Sequence, residues 1–160
     1  MLPDDVFRTE MKAVTADLAG WAERMRDCAD VSTDAGPGYW RLVLAPHASG
    51  AAALEMILRS DQRLDITVAE ETYEERHMPP LAALRPLVEA VAEGRVVERH
   101  LTSLATGALV AVETIIEPRA GVAWHDGRRV MAPLANGQGE VERTTVRDRH
   151  FLPYRRLSTI

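Results

Sequence analysis

The chain has 160 residues, 46% of them hydrophobic and 27% charged, with a formal net charge of −5. That length holds one domain with a real core rather than two, and the composition excludes extensive disorder. The negative charge argues against general nucleic-acid binding, and the single cysteine, Cys28, cannot close a disulfide within the chain.

The opening residues Met1-Leu2-Pro3-Asp4-Asp5 carry neither the basic nor the apolar region of a signal peptide. No apolar run approaches the roughly 20 residues of a membrane span, so a cytoplasmic protein with no membrane partner is expected. The charge is uneven. Residues 141–160 hold five arginines against Glu142 and Asp148, while the remainder is acidic.

The first element is the clearest. Phe7, Met11, Val14, Leu18, Trp21, Met25 and Cys28 recur at alternating spacings of three and four, which predicts an amphipathic helix over residues 5–29. Pro3, Asp4 and Asp5 suit its start. The stripe's simplest use is burial on a sheet, but the same spacing is a coiled-coil seam, so a homodimer through this helix is the alternative. Ser32 to Gly38 reads as a loop.

From Tyr39 the period becomes two. Trp40, Leu42 and Leu44 form one row of a strand. Leu54, Met56 and Leu58 also alternate, although Ala51-Ala52-Ala53 favours helix, and strand is preferred because Ser60-Asp61-Gln62 turns into the clean alternation of Leu64, Ile66 and Val68. Pro79-Pro80 opens a short helix near residues 80–93, with Pro86 at a kink or first turn and Gly94 as the C-cap. Arg95 to Thr102 and Ala108 to Glu117 read as strands around an Ala105-Thr106-Gly107 turn, the second buried on both faces.

Asp126-Gly127 predicts a tight hairpin turn between Val122–His125 and Arg128–Met131. Pro133 to Gly139 reads as a loop and Glu140 to Val146 as a strand. The whole is expected to be one α+β domain over residues 1–146: a long helix on a mainly antiparallel sheet of six to seven strands. Residues 147–160 are expected to be an irregular basic tail.

Function is weakly marked. Glu70, Glu71, Glu74 and Glu75 form an acidic edge suited to docking a basic protein partner. Glu74 and His77 have the Glu-x-x-His spacing of helical di-metal sites, but one copy between prolines is insufficient. The histidines His47, His77, His100, His125 and His150 lack metal-ligand spacing. Ser49 and Ser103 lack a nucleophile-elbow motif, and no phosphate-loop or cofactor motif is present, so neither catalytic residues nor a cofactor is expected. Cys28 continues the helix stripe and is expected to be a buried thiol. A second possibility is a small-molecule pocket between helix and sheet, lined by Trp21, Trp40, Tyr73, Trp124 and His125. A third is nucleic-acid contact through the arginines of the tail, with Phe151 and Tyr154 interleaved.

In organisation, without any shared motif, the order of helix, hairpins, a short helix ending in Glu93-Gly94-Arg95-Val96-Val97, and further hairpins resembles small bacterial immunity proteins. That resemblance implies an acidic, non-catalytic protein that acts by binding another.

Overall fold

The computed structural model describes residues 1–130 and 143–155. The loop expected over Pro133–Gly139, the first residues of the strand expected from Glu140, and Arg156 of the tail lie outside them. The chain is α+β, as its patterning implies. It has α1 (Asp4–Glu23), a five-stranded meander β1 (Ala29–Gly36), β2 (Tyr39–Pro46), β3 (Leu54–Arg59), β4 (Arg63–Val68) and β5 (Glu71–His77), then a 3₁₀ turn (Leu81–Ala83) leading into α2 (Leu84–Ala92). A second antiparallel sheet holds β6 (Val96–Ser103), β7 (Leu109–Ile116), β8 (Trp124–Arg129) and β9 (Thr144–His150), in the order β8-β7-β6-β9. The described residues thus contain nine strands in two sheets, rather than six to seven in one.

Helix α1 is shorter than residues 5–29. After Glu23 the chain tightens into turns, with Met25 N–H donating to Ala22 O and Cys28 N–H to Met25 O. These three-residue steps keep Met25 and Cys28 on the same face as the helix stripe, so the apolar period runs on past the helix. Phe7, Leu18, Trp21, Met25 and Cys28 are all buried in the chain's own core, with Met11 and Val14 partly buried beside them.

The inner face of the first sheet is Leu42, Leu44, Leu54, Met56, Leu58, Leu64, Ile66 and Val68, all buried. The segment 54–59 is a strand, and the hairpin through Ser60-Asp61-Gln62 forms in the expected register, Leu58 opposite Leu64. Ser32–Gly36, by contrast, is not loop. It is the outer part of β1, paired with β2 from Ala29↔Pro46 to Gly36↔Tyr39 around Pro37-Gly38. As an edge strand it buries only Ala29 and Val31, so it carries no apolar row for periodicity to find.

Asp126-Gly127 is not a hairpin tip. It lies inside β8, with Asp126 opposite Thr114 and Gly127 opposite Glu113. Gly127 has no positive φ. Its lack of a side chain serves close approach instead, since a Cβ there would stand 3.2 Å from Val112 O. Strand β7 is interior to its sheet, but its burial alternates, and Leu109, Ala111, Glu113 and Ile115 are only half-buried.

The boundary expected at residue 146 falls within β9, which pairs with β6 along its whole length. Past β9, residues 151–155 lack regular secondary structure, as expected, but are docked on the domain. Leu152 N–H donates to Gly50 O, Tyr154 N–H to Ala92 O, and the buried Tyr154 hydroxyl to Ala52 O at 2.7 Å. Pro86 lies in the first turn of α2, where a missing N–H costs least. At the other end Gly94 (φ +75°) closes the helix, with Gly94 N–H donating to Val91 O and Arg95 N–H to Ala90 O. A Cβ on Gly94 would lie 2.7 Å from Pro153 N and 2.8 Å from Phe151 O, so the cap is also the seat of the C-terminal segment.

Candidate functional site

The acidic stretch is strand β5, and the strand divides its carboxylates. Side chains at 71 and 73 point inward. Glu71 is 7% exposed and receives Arg128 of β8 in two hydrogen bonds, Nε at 2.5 Å and Nη2 at 2.9 Å. This bidentate pair holds the Arg128 guanidinium above its ordinary pKa. Tyr73, 1% exposed, shares a 2.8 Å hydrogen bond with Thr114 of β7 and meets Trp124 edge-on at 5.4 Å. Arg76 pairs with Asp126. The seam between the sheets is therefore polar, and Glu71 is used within the molecule.

Glu74 and Glu75 face the other way. Leu64 pairs with Arg76 but Ile66 with Tyr73, so β5 has one extra residue opposite Asp65. The bulge centres on Glu75, whose φ of +55° is strained for a non-glycine residue. Its N–H donates to Asp65 Oδ1 at 2.6 Å. The result is an exposed pair of carboxylates, Glu74 and Glu75, with Arg59 3.9 Å from both Asp65 and Glu75, while Glu70 is exposed in the β4–β5 turn at the other end of the strand.

Among the described residues the aromatic candidates sit in different places. Tyr73 and Trp124 pack on each other, Trp40 packs at the rim of the first sheet's core, and His125 is exposed on β8, 3.7 Å from Glu113. Trp21 alone lines an open cleft of about 450 Å³, where the ends of α1 and α2 meet the C-terminal segment. Met25, Ala92 and Pro153 share its wall, and the Glu93–Arg119 ion pair (2.7 Å) stands at its rim.

Other candidates prove structural. Ser103 Oγ accepts the N–H groups of Ala105 and Thr106, closing the β6–β7 turn. Cys28 is buried, its thiol donating to Met25 O. Glu74 and His77 are both exposed, and the described residues contain no group of three side chains able to hold a metal. No helix among them is long and apolar enough to cross a membrane.

The β6–β9 ladder gives the arginines at 147 and 149 partners that the sequence does not show. His100 lies directly across the β6–β9 ladder from Arg147, and Glu98 across from Arg149. His100 Nε2 is 2.7 Å from Glu98 Oε1, a carboxylate 5% exposed. Strand β9 is exposed and polar along most of its length, so no apolar alternation marks it as a strand or gives its arginines a register.

Comparison with protein-family models, with curated proteins and with solved structures finds no match for this chain.

Proposed function

We propose that this chain is a non-enzymatic interaction module, adaptor- or immunity-like, that docks a basic protein partner through the outward carboxylates Glu70, Glu74 and Glu75. The observation that supports it is the bulge in β5. A left-handed glutamate costs of order 1–3 kcal/mol in a strand, and here it turns two successive acidic side chains toward solvent. Glu71, one of the four residues of the expected edge, belongs to the seam and takes no part. A cytoplasmic, bacterial setting fits the single unpaired thiol and the arginine-for-lysine bias, with Lys12 the one lysine.

The test is affinity capture from the native host with the wild-type chain and with the variant E70K/E74K/E75K. The reading expects a defined basic protein that binds the wild type at low salt and is lost from the variant. Equal recovery by both proteins, or a co-purified metabolite with no protein, would contradict it.

A second reading rests on the Trp21 cleft. Its volume of about 450 Å³ suits a small ligand with an apolar body, bound at the helix ends rather than between helix and sheet. Quenching of Trp21 fluorescence by such a ligand, absent in Trp21→Phe, would favour it over partner docking.

A further inference from the structure

The inward face of the second sheet ends in a basic cleft that the docking reading does not use. Antiparallel partners share a face, so the ladder places His100, Arg147 and Arg149 side by side, where they line a cleft of about 310 Å³. Two of these three side chains are held. The Arg149 guanidinium stands 4.8 Å over the ring of Phe151, itself buried, and His100 is held through Nε2 by Glu98.

The nearby carboxylates are already engaged. Glu98 is met by His100 and lies within the electrostatic reach of Arg128. Asp148 points to the opposite face, where Arg99 donates to it at 2.9 and 3.2 Å, holding its carboxyl below the usual range. The positive charge of Arg147 and Arg149 is therefore presented to the cleft.

We propose that this cleft binds the phosphate group of a small phosphomonoester. Two neighbouring guanidinium groups offer several N–H donors to one tetrahedral dianion, the chemistry in which arginine outperforms lysine, and the His100 ring borders them. The volume lies at the small end of ligand pockets. A chain with net charge −5 repels an extended polyanion but not a small one seated among its cations.

Titration calorimetry with inorganic phosphate and with adenosine monophosphate tests this directly. Both are expected to bind, the nucleotide more tightly, and R147A/R149A is expected to weaken each by at least about tenfold. Lys12→Ala, on the exposed face of α1, is expected to change nothing. In parallel, phosphate is expected to shift the His100 ring resonances in the wild-type protein, a readout independent of how any variant folds. Absence of binding at millimolar ligand, unchanged binding in R147A/R149A, or a His100 ring indifferent to phosphate would overturn the proposal. Binding of a short single-stranded DNA through the same arginines, with no affinity for the monophosphate, would overturn it in favour of nucleic-acid contact.

Discussion

The two sheets present unlike faces to the interior. On the first, Leu42, Leu54, Met56, Leu64 and Ile66 form an unbroken apolar floor under the helices. On the second, Val96, Val112 and Ile116 share the face with Glu98, Thr114, Asp126 and Arg128. The apolar floor is non-directional, so it drives burial without specifying what sits on it. The polar face is directional. Glu71 to Arg128, Tyr73 to Thr114 and Arg76 to Asp126 each accept only one alignment of β5 against β7 and β8. Hydrophobic burial thus supplies most of the stability, and the seam supplies the register between sheets.

Variants that break this contrast fall in order of size. Leu64→Ala removes a fully buried side chain from the floor and is expected to cost roughly 2–5 kcal/mol in urea unfolding. Gly94→Ala combines a positive φ with collision against the backbone of residues 151–153, and a loss of roughly 1–3 kcal/mol is expected, with the Tyr154 hydroxyl leaving Ala52 O. Glu71→Gln leaves Arg128 with a weaker partner. A fully buried pair would lose several kcal/mol, but Arg128 is 47% exposed, so solvent screening reduces the expected cost to about 1–2 kcal/mol. Glu74→Gln, on the same strand but facing solvent, is expected to stay within about 0.5 kcal/mol of the wild type.

Tyr154 adds a pH dependence. Burial, with a smaller contribution from the Cys28 thiol, pushes its phenol well above the ordinary value of 10.0. The folded state thus holds this proton more tightly than the unfolded chain does. Its contribution to stability is fully present below pH 10 and declines as pH rises through and beyond that value. Tyr154→Phe is expected to lose about 1 kcal/mol at neutral pH, from the bond to Ala52 O, and to unfold with a shallower alkaline decline. Denaturation midpoints from pH 8 upward check both parts.

The same contrast explains what could be read from the residues. The helix stripe, the β3–β4 hairpin and the Gly94 cap were legible because each follows from local period or turn chemistry. Strand β1 was not, since an edge strand held by main-chain pairing needs no apolar row. Asp126-Gly127 misled for a related reason. Gly127 answers the closeness of β7, and Asp126 answers Arg76, both partners distant in sequence. Glu71 looked like one of four equivalent acids until the strand's alternation and the bulge at Glu75 separated inner from outer. The basic cleft depends on which residues of β9 face His100, a register that only the β6–β9 pairing determines.

A double-mutant cycle on Glu71→Gln and Arg128→Gln, read by urea unfolding, tests most directly whether polar pairing sets the two sheets against each other. Contact across the seam predicts a coupling energy of at least about 1 kcal/mol, with the double variant little worse than either single one. Additivity within about 0.3 kcal/mol would contradict it and leave the second sheet held by its apolar residues alone.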